Sequence, residues 1–208
     1  MSSLFTYQRE LRKRLDIPYI WPSRQNDTDD QTTDFIYRCA SFDQAHAEAV
    51  RRFGTGASRY YYALNRWYNF TSARAVEAIF ARHPRVIAER DTYHKLVDFR
   101  LDGIPFDHKT TVWPKAWKGD LDACMQSPQP LLTWLYANQS RERRHHVCNR
   151  LFLVLYREDG AHWKLKADLG LLATRIEEYL DAFTPDDLTT ITIGERTAQA
   201  GVIWATEY

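Results

Sequence analysis

Asp98, Asp107 and Lys109 flank a short turn in the run Leu96-Val-Asp-Phe-Arg-Leu-Asp-Gly-Ile-Pro-Phe-Asp-His-Lys109. Carboxylates gathered beside an ammonium are the groups that hold a hard divalent cation and steady a phosphate. Whether these three meet depends on register. Asp102-Gly103 predicts a two-residue turn of type I′, because both central residues tolerate positive φ. That turn pairs Leu101 with Ile104, Phe99 with Phe106 and Asp98 with Asp107. Partners across a ladder share a face, and alternate residues along a strand point the same way. One face therefore collects Val97, Phe99, Leu101, Ile104 and Phe106 and ends at His108. The other collects Asp98, Asp107 and Lys109. A one-residue slip would expose Phe99 and Phe106, so the apolar pattern opposes it.

Like charges opposed on a ladder destabilise it unless something offsets the repulsion. Mg²⁺ or Mn²⁺ would do so, taking oxygen from one or two carboxylates and keeping several waters. The plainer alternative is a solvated polar face on which Lys109 pairs with Asp107. On the metal-site reading, Asp107→Asn should leave the metal-free fold unharmed or slightly more stable.

Asp98 on one strand and Asp107-His108-Lys109 on the next resemble the PD-(D/E)XK, or restriction-endonuclease-like, superfamily of metal-dependent nucleases. Val97 stands where the name-giving proline would be. The resemblance implies that Asp98 and Asp107 ligate Mg²⁺ or Mn²⁺, joined by the main-chain carbonyl of His108. It also implies that Lys109 positions or activates the attacking water. An acidic residue from the first helix usually completes such a site. Glu77 is the positional match, and Glu89, at the end of the first strand, competes with it.

The implied core order is helix, three strands, helix, strand, and the chain follows it from Ser72 to Tyr156. Ser72–His83 reads as a helix with Val76, Ile79 and Phe80 on one stripe and Thr71 or Ser72 as its cap. Val86–Glu89 is a first strand, and the hairpin gives the second and third. A helix then opens at Ser127-Pro128, with Leu131, Leu132, Leu135 and Tyr136 on one side. Leu151–Tyr156 is continuously apolar, as a buried central strand should be. The predicted fold is α/β, one domain over residues 1–208 built on a central mixed sheet. Residues 1–71 form a helical extension, 72–156 the core, and 157–208 a further helix with flanking strands. Tyr60 to Tyr68 reads as a buried aromatic helix and Trp21 to Asp34 as a polar surface loop.

Two segments bear on a substrate. Lys115, Trp117 and Lys118, with Trp113, interleave aromatic rings and cations just after the third strand. That mixture suits single-stranded or distorted nucleic acid, while tryptophans anchored in the core are the alternative. Arg141, Arg143 and Arg144 form a basic cluster that contacts phosphates or merely covers a helix end. The adjacent His145 and His146 cannot share a helical face as zinc ligands would.

With 28 Lys and Arg against 27 Asp and Glu in 208 residues, the chain is no globally basic binder, so a local surface would have to meet DNA. Cys39, Cys124 and Cys148 share no metal-ligand spacing and suit a reducing, cytoplasmic setting. No apolar run reaches ~18 residues, which gives no sign of membrane insertion. The sequence thus points to a divalent-metal-dependent nuclease acting on DNA; the resemblance implies restriction, repair or phage defence as its setting. A homodimer or larger complex stays open. The alternative is a nuclease-fold subunit that binds nucleic acid or serves assembly without cutting.

Overall fold

The computed structural model describes residues 3–89, 97–139 and 148–208. It is mixed α/β, with one six-stranded mixed sheet in the order β1-β2-β3-β4-β6-β5. The strands are β1 (Val86–Ala88), β2 (Phe99–Leu101), β3 (Ile104–Val112), β4 (Arg150–Arg157), β5 (Thr189–Ile193) and β6 (Arg196–Glu207). The helices are α1 (Leu4–Lys13), α2 (Asp27–Thr32), α3 (Phe42–Phe53), α4 (Ser58–Phe80), α5 (Leu121–Gln126), α6 (Gln129–Gln139) and α7 (Leu169–Ala182). Among the described residues no helix is long and apolar enough to cross a membrane.

Two compact units divide the chain. The first comprises Met1–Ala78 with Lys166–Leu169, the second Ile79–Leu165 with Gly170–Tyr208. In the first, the aromatic run is core: Tyr60, Tyr62, Leu64, Trp67 and Tyr68 are all buried on α4. Asn65 accepts from Arg14 and donates to the Ile20 carbonyl, while Arg66 binds Thr33 and Tyr37. These two polar side chains serve internal packing.

Two expectations change here. The helix expected from Ser72 is the last third of α4, because Thr71 and Ser72 are buried within a continuous helix and cap nothing. The segment expected as a plain loop before Asp34 contains α2. Asn26 caps it, accepting the Asp29 N–H at 2.9 Å, and three aspartates in the first turn suit the positive helix end.

In the second unit the hairpin holds the expected register, with Phe99 opposite Phe106 and Leu101 opposite Ile104. Asp102 and Gly103 have φ of 48° and 83°, the left-handed pair that a type I′ turn requires. Arg85 ties this turn down, pairing with the Asp102 carboxylate and donating to the carbonyls of Leu180 and Phe183. Phe99, Leu101 and Phe106 are buried on one face, where Phe80 stacks on Phe99 at 4.6 Å. α7 lies over the same face, close enough at Gly201 that a Cβ would strike the Tyr179 hydroxyl and Leu151. The opposite face of β4, β5 and β6 packs under α5 and α6, through Leu131, Leu132, Leu135 and Tyr136 against Phe152, Val154 and Ile191.

Parallel pairing of β3 with β4, and of β4 with β6, places Leu151–Leu155 in the middle of the sheet, fully buried. β2 lies antiparallel to β3 on its other edge. β3 thus joins the antiparallel hairpin to the parallel interior.

Gly103→Ala should lower stability by about 1–2 kcal/mol, since a side chain there must sit at positive φ. Urea unfolding read by circular dichroism checks this; an unchanged midpoint would mean that the turn does not set the hairpin.

Candidate functional site

The polar face of the hairpin meets the start of β4. The ladder ends at Phe99–Phe106, one pair before the two aspartates. Asp98 donates its N–H to the Phe106 carbonyl at 2.8 Å, so it is not the regular ladder partner of Asp107. Its side chain turns to β3 instead, where a carboxylate oxygen accepts the His108 N–H at 2.7 Å. The side chain thus takes the place of the next backbone acceptor.

Asp107 N–H bonds the Asn149 carbonyl at 2.9 Å, towards β4. Alternation then directs the N–H and carbonyl of His108 to the opposite edge, beside Asp98. His108 itself points into the apolar side. It is buried, its Nε2 lies 2.9 Å from the Thr110 hydroxyl, and its ring lies 5.4 Å from that of Phe80. Burial pulls its imidazole down to about 4, so it is neutral near pH 7.

The two carboxylates feel each other. Burial holds the Asp98 carboxyl above its ordinary range, and the neighbouring Asp107 adds to the rise, against the lowering effects of the His108 N–H and Lys109. Asp107 is gripped from both sides: Lys109 Nζ lies 2.8 Å from Oδ1 and Arg150 Nε 2.9 Å from Oδ2. The side chains of Asp107 and Arg150 are only 10% and 13% exposed, while that of Lys109 is 46% exposed. Two acids and two bases make this cluster electrically neutral.

Arg150 enters through the parallel register, which sets it directly opposite Asp107. Its guanidinium lies 5.0 Å from the Tyr136 ring centre, and the Tyr136 hydroxyl donates to the Cys148 carbonyl at 2.8 Å. Asn149 braces the same corner, donating to the Pro105 carbonyl and accepting the Gln199 N–H. No spacing in the sequence pairs Arg150 with Asp107, 43 residues away.

Glu89 borders the site. Its N–H bonds the Asp98 carbonyl at 3.0 Å, and its carboxylate lies 4.0 Å from Arg100. Glu77 lies on α4 in the first unit, with an exposed side chain. Among the described residues no group of three or more His, Cys, Asp or Glu side chains is placed to hold a metal.

The aromatic and basic segment is not beside the aspartates. β3 runs from Asp107 away to Val112, so Lys115, Trp117 and Lys118 follow its far end, ~16 Å along the strand. Trp117 packs against the sheet core and lies edge-on to Trp134 at 6.1 Å. Lys115 and Lys118 are exposed. An extended strand rises more than ~3 Å per residue, so closeness to Asp107 in sequence is not closeness in space. Arg141, Arg143 and Arg144 lie outside the described residues.

No protein-family model, curated protein or solved structure matches this chain.

The grip on Asp107 reverses one expectation. Asp107→Asn should destabilise the metal-free protein by about 1–3 kcal/mol, because it leaves the largely buried Arg150 without its anion. Asp98→Asn should act oppositely. The folded state raises the Asp98 pKa, so its charge costs stability above that pKa, and an amide oxygen can still accept the His108 N–H. Thermal melts without metal at pH 7 check both; a rise for Asp107→Asn, or a clear fall for Asp98→Asn, would contradict the geometry.

His108 gives a separate pH signature. Its folded pKa is depressed, so its contribution is intact above about 6.5 and is lost as pH falls towards about 4. The loss is at most ~3 kcal/mol, and His108→Gln should flatten this slope in denaturant titrations across that range. An equally steep slope in the variant would place the acid sensitivity elsewhere.

Proposed function

We propose that this chain is a divalent-metal-dependent nuclease that hydrolyses phosphodiester bonds in DNA, with its centre at the polar face of the hairpin. The observation that carries this reading is the convergence of Asp98 and Asp107 beside the half-exposed Lys109, with the Asp98 carboxyl raised by burial and by Asp107. Crowded carboxylate charge favours a cation. The element order α4, β1, β2, β3, α6, β4 supports the resemblance to the PD-(D/E)XK superfamily, with α5 as an addition.

The residues fit Mg²⁺ or Mn²⁺. Asp107 Oδ1 accepts from Lys109 and Oδ2 from Arg150, which leaves each oxygen lone-pair capacity, and a hard ion needs only one or two carboxylates besides water. Asp98, Asp107 and the His108 carbonyl would hold the ion. When bound, it polarises a phosphate and lowers the pKa of an attacking water.

The chain's own groups do the rest. Lys109 spends one ammonium proton on Asp107 and keeps two donors for a phosphate oxygen or the water. The neutral, buried His108 anchors the strand from its apolar side and takes no part in proton transfer. Glu89, whose N–H bonds the Asp98 carbonyl, is the candidate within this unit for a further acidic contribution.

A second reading draws on the neutral cluster. Lys109 and Arg150 already pair with Asp107 and offset the charge of both aspartates, which suits a fold that binds nucleic acid or a partner without cutting.

Incubating the purified protein with Mg²⁺ or Mn²⁺ and supercoiled, linear or single-stranded DNA, with free nucleotides as control, separates the readings. DNA should be cut, and Asp98→Asn, Asp107→Asn and Lys109→Ala should each slow cutting ~10²-fold or more. Binding without cleavage selects the silent subunit, and hydrolysis confined to nucleotides selects a phosphohydrolase.

A further inference from the structure

We infer that Arg150 is the positioning residue of this site, holding the Asp107 carboxylate in place and setting the charge that an incoming cation meets. The inference rests on the nuclease reading for its catalytic consequence and on geometry for its substance. Asp107 has two oxygens and two cationic partners, and they divide the work. Lys109 takes Oδ1 from the same strand two residues on, with nearly half of its side chain in solvent. Arg150 takes Oδ2 from the neighbouring strand and is almost wholly buried. A flexible, half-exposed ammonium cannot fix the plane of a carboxylate by itself. A planar guanidinium held from behind can.

Arg150 is held in that way. The Tyr136 ring lies against the guanidinium at 5.0 Å, and the Tyr136 hydroxyl is fixed on the Cys148 carbonyl, two residues before Arg150. Asn149 locks the adjoining backbone to β3 and β6. The arginine is thus the end of a rigid chain running from α6 through Tyr136 to Asp107. Its charge brings the cluster of Asp98, Asp107, Lys109 and Arg150 to zero. Removing that charge leaves a net negative pocket, which attracts a divalent ion more strongly while Asp107 loses its fixed orientation.

The two effects have opposite signs, and this separates a positioning role from a merely structural one. Mn²⁺ binding to the DNA-free protein, read by paramagnetic resonance of the unbound ion, should tighten about tenfold in Arg150→Gln. Turnover of a short duplex should fall ~10²-fold in kcat, with KM little changed. Arg150→Lys keeps the charge without the planar fork, so its Mn²⁺ affinity should return to the wild-type value while kcat recovers only in part. Unchanged affinity and unchanged kcat in Arg150→Gln overturn the inference and leave the nuclease reading standing. Weakened Mn²⁺ binding together with a lowered melting temperature, in both variants, also overturns it and makes Arg150 a structural residue. If the wild-type protein binds Mn²⁺ through Asp98 but cuts no nucleic acid, the nuclease reading fails, and the affinity shift alone decides the role of Arg150.

Discussion

A carboxylate that is nearly out of water must have its charge met, and Asp107 meets that requirement from two strands. Its N–H and its side chain both look towards β4, to Asn149 and Arg150, while Lys109 closes the remaining side. This interaction fixes β3 against β4 at the point where the antiparallel hairpin gives way to the parallel interior. The apolar pattern alone sets the faces of these strands. The ion pair adds a check on register, since a shift of one residue would bury Arg150 against a side chain of the wrong kind.

Much of this was legible in the sequence where the signals are local. Asp102-Gly103 dictates its own dihedral angles, and the alternation of Phe99, Leu101, Ile104 and Phe106 leaves one workable register. The apolar run at Leu151 and the stripe at Leu131, Leu132, Leu135 and Tyr136 likewise announce their burial. Arg150 was illegible as a partner because it lies 43 residues from Asp107 and meets it through a parallel pairing. No turn residue encodes that register, which emerges only when the sheet is assembled. Thr71 and Ser72 misled for another reason. A hydroxyl marks a helix start only where the backbone leaves the helix, and here the apolar stripe carries α4 straight past them.

The placement of Lys115, Trp117 and Lys118 shows how strand geometry spreads a linear motif. Residues that follow one another in an extended chain separate by more than 3 Å at each step, so the end of β3 shares little with its beginning. Trp117 is drawn into the core under α6, where its large apolar surface is better used than at a solvent-facing edge. The two exposed lysines that flank it therefore belong to another region of the surface than the aspartates.

Asp98 carries an implication for how such a chain can drift. At its place in the hairpin the backbone of His108 asks for an oxygen acceptor and does not ask for a charge. An asparagine would answer that need as well, and it is one base change away in the genetic code. The neutral residue would also be free of the mutual repulsion that raises the Asp98 carboxyl. A lineage with no use for the acid thus has a short path to a quieter, more stable protein with the same topology. The aspartate is the costlier of two residues that the architecture would accept.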